Sequence, residues 1–191
     1  MKISTRELII TSLFTALMIA GSFIRIPFPL LPVTLQTVFC ALAGLIIGPK
    51  LGALSMVIYT ALGLTGVPVF AQGGGITYIF NHSFGFILGF IAGAYIIGKL
   101  SSKKPTVADN IKSSMVGLAV IYTIGIIYMF LILRFYTGNA EVGLLYVVSV
   151  NLPYLVKDII LFILASIVSI SVAPVLSIDK AGSPPRKADT K

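Results

Sequence analysis

Charge is the scarcest feature of this chain. Lys, Arg, Asp and Glu make up 10% of its 191 residues against 57% hydrophobic, and the mean hydropathy is +1.04. Soluble domains carry about a quarter charged residues. An ordinary water-exposed fold is therefore excluded, and an all-α polytopic membrane protein is implied. Cysteine is limited to Cys40, inside an apolar run, which rules out an intrachain disulfide and reads as core packing. His82 is the sole histidine, with no cysteine pair to join it, so no metal site is recognisable. A Gly-Lys-Ser/Thr phosphate loop, a nucleophile elbow and a set of paired carboxylates are all lacking. An intramembrane enzyme is thus the weakest class. No cofactor is expected, and active transport would have to draw its energy from a partner or an ion gradient.

The formal net charge of +8 would suggest a nucleic-acid partner in a soluble protein. Here the basic residues sit between apolar runs, a pattern that reports membrane orientation and no nucleic-acid binding. Six spans are predicted, over about 8–24, 34–48, 53–64, 83–98, 113–133 and 151–176. The first follows Lys2 and Arg6 like a signal peptide, but its length favours an uncleaved helix. The second and third fall short of the roughly 20 residues needed to cross the hydrocarbon core. The proline-rich segment Arg25-Ile-Pro-Phe-Pro-Leu-Leu-Pro32 reads as an external connection. Residues 99–112 read as a basic cytoplasmic loop, 134–143 as an external connection with Gly138-Asn139 as its turn, and 179–191 as a disordered cytoplasmic tail behind a single domain over 1–178. Six spans place both ends on one side. That side holds eleven Lys and Arg, and the other only Arg25 and Arg134, so both termini are expected to be cytoplasmic.

One segment defies hydropathy. From Gly66 to Phe86 there is no charge, yet Pro68 and Gly73-Gly74-Gly75 oppose a continuous helix. Irregular uncharged backbone at membrane depth packs on protein or lines a cavity, which suggests an outward-facing lid over a small molecule. Lys157 and Asp158 are the ionisable pair clearly inside a span. A charge there costs about 2.5 kcal/mol or more in hydrocarbon, so the pair either pins helices together or forms the polar floor of a ligand site. Asn81 suits an amide-like ligand, being both donor and acceptor; Asn81 or Ser83 equally suits a helix cap. Tyr78 and Phe86, with Phe80 and Phe84, are ring walls or interfacial anchors. Gln36 lies at the outer end of the second span. Ala16 and Ala20 give one helix face two small side chains, fit for close approach of another helix, internal or external.

Read in order, the landmarks resemble a family. They are Ala16-x-x-x-Ala20, Pro32-Val-Thr-Leu-Gln-Thr37, Gly48-Pro-Lys-Leu-Gly-Ala53, Gly66-Val-Pro-Val-Phe-Ala71, the glycines 73–75, Gly85-Phe-Ile-Leu-Gly-Phe90 and Pro153-Tyr-Leu-Val-Lys-Asp158. Over residues 8–176 the chain resembles BioY, the biotin-binding S component of energy-coupling-factor (ECF) transporters. The resemblance implies a compact six-helix bundle in a prokaryotic cell membrane. It would bind biotin from outside and work with a membrane coupling subunit and two cytoplasmic ATPases. It implies that the Ala16/Ala20 face meets the coupling subunit and that the first and third loops, with Gly73 and Gly74, cover biotin. Asp158 would accept from the ureido N–H groups and Asn81 would meet the ureido carbonyl; Ser83, Phe86, Tyr78 and Gln36 complete the expected site. Two departures stand out. His82-Ser-Phe-Gly-Phe86 replaces a Pro-Thr-x-Gly-Tyr pattern, and Leu161 holds a position where relatives carry lysine, for which Lys157, one turn earlier, is the expected substitute. An S component for another vitamin is the alternative, and a non-binding assembly subunit a more distant one.

Overall fold

Ser4 starts the first helix by a reciprocal cap: the Glu7 N–H donates to its hydroxyl at 3.3 Å and the Glu7 carboxylate accepts from the Ser4 N–H at 2.8 Å. The resulting α1 (Thr5–Phe23) buries Ile10, Phe14 and Met18 and leaves Ile9, Leu13, Ala16, Ala20 and Phe23 open on the opposite face. These details come from a computed structural model, which describes residues 3–26, 32–102, 105–138 and 141–176. A short antiparallel pair follows, β1 (Arg25–Ile26) against β2 (Val33–Thr34), with Arg25 opposite Thr34.

Helix α2 (Gln36–Leu64) contains a reversal with no loop. Gly48 takes φ 81° and ψ −177°, a conformation open essentially to glycine alone, and Pro49 follows it. The two arms then run back along each other: the Gln36 amide donates to the Tyr59 hydroxyl, 23 residues on. In an unbroken helix those residues would lie about 35 Å apart. A 3-10 helix (Ile76–Phe80) precedes α3 (Phe84–Leu100), and α4 (Val107–Leu131) continues into a π-helical turn (Ile132–Tyr136) before α5 (Leu144–Leu176).

The core centres on α3, which packs between α2 and α4. Glycine makes this possible. A Cβ on Gly89 would stand 2.9 Å from the Ile121 carbonyl oxygen, and one on Gly44 2.7 Å from that of Ala94. Close backbone approach of this kind is how helices associate in lipid, where apolar burial alone gives little drive. The Gly48 reversal meets Gly98, Arg6 donates to the Leu176 carbonyl, and Asn110 bonds Ser101 and Ser169, so these positions share one end of the bundle. The β-pair and the 3-10 helix occupy the opposite end.

Several boundaries differ from the sequence expectation. Among the described residues the expected second and third spans meet at Gly48 with no loop between them, as the two arms of α2. Helix α4 starts at Val107 and not near 113, since Thr106 and Asp109 form a second reciprocal cap inside the segment read as a basic loop. Helix α5 starts at Leu144 and runs through Pro153, and the connection expected from 134 begins only after Tyr136. Among the described residues, four helices are long and apolar enough to cross a membrane by residue count: α1, α4 with its π turn, α5, and α2, which folds back at Gly48; α3 has 17 residues. The expected tail at 179–191 lies outside the described residues.

Candidate functional site

At the end of the bundle that holds the β-pair, α2, α3, α4 and α5 surround a cavity. Its open volume is about 70 Å³. One side is polar and is centred on Asp158, which is 4% exposed. Its Oδ1 accepts from the Thr37 hydroxyl at 2.7 Å and the Lys157 ammonium at 2.6 Å; its Oδ2 accepts from the Tyr122 hydroxyl at 2.7 Å. Lys157 also donates to the Thr34 carbonyl at 3.1 Å, tying α5 to β2. Three donors from three elements thus satisfy one buried carboxylate, the condition under which such a charge is tolerated. One turn and two turns before Asp158 on the same helix face come Tyr154 and Asn151, both buried and both on the cavity wall.

The other side is apolar. Phe86, Ile87 and Phe90 of α3 line it, and the Phe86 ring meets Tyr122 edge-on at 5.6 Å between centroids. Tyr78 of the 3-10 helix also lines the cavity. Its ring packs on Phe70 at 4.5 Å, its hydroxyl lies 3.1 Å from Ser83 Oγ, and burial pushes its phenol above the ordinary value. Segment 66–75 is held down from below: the Val69 carbonyl accepts from Ser22 at 2.6 Å and Tyr59 at 3.2 Å, and Gly75 N–H donates to the Gly63 carbonyl at 2.7 Å. A polar pole facing aromatic walls under a pinned loop suits a small, partly polar ring compound.

The comparisons with known proteins give this arrangement its context. A family model described as the BioY family matches residues 1–178. The chain belongs to the BioY family. Among its relatives, the biotin transporter BioY of Thermotoga maritima is 35% identical over 86% of this chain and 94% of its own length. The probable biotin transporter BioY of Pyrococcus horikoshii is 38% identical over 81% and 88%. That of Lysinibacillus sphaericus is 41% identical over 69% and 68%. A crystal structure of the S-component for biotin from an ECF-type ABC transporter matches with TM-score 0.65 at 24% identity, covering 88% of this chain and 90% of that one. It shows that the fold is shared.

Within this BioY-family chain the cavity gathers Gln36, Tyr78, Ser83, Phe86, Lys157 and Asp158 from the residues expected of the site. Gln36 is already committed, its amide to Tyr59 and its oxygen to the Thr34 hydroxyl at 3.1 Å. Asn81, Gly73 and Gly74 do not line the cavity. The Asn81 amide donates to Gln72 at 2.9 Å, and its oxygen accepts from Ser83 N–H at 2.9 Å and Ser83 Oγ at 2.8 Å. Its side chain therefore shapes the loop. Gly73 pairs with Phe70 through two backbone hydrogen bonds, and a Cβ on Gly74 would strike the Val67 carbonyl, so both serve the fold of the loop. Ala16 and Ala20 lie on the exposed face of α1 and do not line the cavity.

Sequence reasoning missed Thr37, Tyr122, Asn151 and Tyr154. The stripe Asn151, Tyr154, Asp158 has the three- and four-residue spacing of one helix face and was available as a signal. Tyr122 had none, because only the packing of α4 on α5 brings it to Asp158.

Proposed function

We propose that this chain is the substrate-binding membrane subunit of an ECF-type transporter and that its cavity captures biotin. The observation that carries this reading is the buried Asp158–Lys157 pole facing an aromatic wall in one cavity of a BioY-family chain. Biotin has the matching halves. Its ureido ring offers two N–H donors and a carbonyl, its thiophane ring is apolar, and its carboxylate needs a cation or N–H groups. Asp158 Oδ2 carries one donor and retains room for a ligand N–H, while Phe86 and Phe90 cover the apolar ring. Lys157 has one ammonium hydrogen beyond its two partners, which serves the ureido carbonyl or the carboxylate. Ser83 and Tyr78 also line the cavity. A site of matched buried polar groups rejects analogues that leave those groups unpaired.

The five helices make six crossings of the cell membrane, α2 supplying two. The Gln36–Tyr59 bond across its folded arms supports that count. Both termini lie in the cytoplasm by the distribution of Lys and Arg, so the cavity opens outward. The open face of α1, with Ile9, Leu13, Ala16, Ala20 and Phe23 in alternating three- and four-residue steps, has the seam of a helix-packing surface. It receives the coupling subunit, through which two cytoplasmic ATPases drive uptake; this chain needs no cofactor. Mass spectrometry of small molecules released from the purified chain tests the reading. Biotin is the expected ligand. A different vitamin would reassign the substrate, and a chain with no ligand and no saturable vitamin binding would leave only an assembly role.

A further inference from the structure

Among the described residues, one buried side-chain polar atom has no hydrogen-bond partner, and it belongs to the cavity wall. Asn151 is 1% exposed, and its Oδ1 accepts from nothing. The orientation of the amide is chemically determined. Nδ2 donates to the Val147 carbonyl at 2.8 Å and approaches Met129 Sδ at 3.5 Å. Turning the amide over would set Oδ1 against that carbonyl, acceptor against acceptor. Thr37 and Tyr122 give their hydroxyls to Asp158, and Lys157 directs its ammonium to Asp158 and Thr34, so none of the three donates to Asn151. Buried acceptors without donors are rare in native proteins and call for an explanation.

Resting on the reading of this cavity as a biotin site, we propose that Asn151 is a specificity-determining residue whose Oδ1 accepts one ureido N–H of the ligand. Asp158, which already holds three protein donors, takes at most the other. The preference that results is for a neutral cyclic N–H donor. A cation would find no charge at Asn151, and a ring oxygen or methylated nitrogen would leave Oδ1 orphaned. Binding of the correct ligand then satisfies a group that the empty site leaves unsatisfied, so recognition at this wall is strongest for a ligand that carries the N–H.

The test is calorimetric titration of the full chain in detergent with biotin and with biotin methylated on a ureido nitrogen, each methyl isomer separately. Asn151→Leu, close in size, and Asn151→Ser, smaller and polar, are measured in parallel so that the result does not depend on one variant folding. Both variants are expected to lose about 10- to 100-fold in biotin affinity. For one methyl isomer, the ratio of biotin affinity to analogue affinity should fall toward one. Thermal melting of the empty Asn151→Leu protein should be unchanged or raised, because the orphaned acceptor is gone. Retained biotin affinity, or equal loss for biotin and both methyl isomers, would overturn the assignment. Failure of the unaltered chain to bind biotin would instead remove the biotin reading, and this assignment with it.

Discussion

Replacing Asp158 by alanine removes the group on which the polar side of the cavity converges. The structure allows the effect to be worked out partner by partner. Thr37 and Tyr122 are buried and lose charge-assisted hydrogen bonds of 2.7 Å each. Such bonds are worth about 1.5–3 kcal/mol apiece. Lys157 loses a 2.6 Å contact, but its side chain is 26% exposed and it keeps the Thr34 carbonyl, so it recovers much of the loss from water. Breaking one side of a buried ion pair costs about 3–5 kcal/mol, and the partly exposed lysine points to the lower end, about 3 kcal/mol. Alanine also deletes the acceptor offered to the ligand. That lost bond to a charged group is worth about 1.5–3 kcal/mol, so biotin affinity should fall about 10- to 100-fold. The roughly 3 kcal/mol lost among the protein's own partners should lower the melting temperature of the empty protein. Asp158→Asn, which keeps the shape and one acceptor oxygen, should lose less in both measurements. Calorimetric titration and a melting curve in the same detergent give the two numbers. Biotin affinity within threefold of the original, with unchanged melting, would refute the view that this carboxylate organises the site.

Other expectations follow from single contacts. Ala16→Trp enlarges the open face of α1 away from the cavity, so biotin binding should be unchanged while co-purification with the coupling subunit and ATPases is lost. Gly48→Ala forces a side chain into φ 81°, ψ −177° at a cost of about 1–3 kcal/mol, which a melting curve should register without altered ligand selectivity. Phe80 of the 3-10 helix stacks on Tyr136 of the π-helical turn at 4.7 Å and 14°. An aromatic pair contributes about 0.5–1.5 kcal/mol beyond its area, so Phe80→Ala should loosen the loop and speed biotin dissociation about two- to tenfold, measured by stopped-flow displacement.

How far the sequence foretold this arrangement depended on the range of each interaction. Lys157 and Asp158 stood out because a charge among apolar residues is costly wherever the helix packs, and both line the cavity. The Gly48-Pro49 reversal was legible as local backbone chemistry, although not that the two expected spans would meet there with no loop between them. Thr106-x-x-Asp109 was a readable cap, hidden by the basic composition around it. Asn81 was a plausible ligand donor by functional-group chemistry, but its own loop offered it Gln72 and Ser83 first. Thr37 and Tyr122 carried no local mark. One hydroxyl in each of two apolar helices becomes meaningful only when α2 and α4 bring both to the Asp158 carboxylate.

The central claim, that this cavity holds biotin, is tested most directly by calorimetric titration of the purified chain with biotin beside a panel of other vitamins. Saturable one-to-one binding of biotin, much tighter than any other member of the panel and weakened by Asp158→Ala, is the predicted result. No heat from biotin, with saturable binding of a different vitamin, would contradict it.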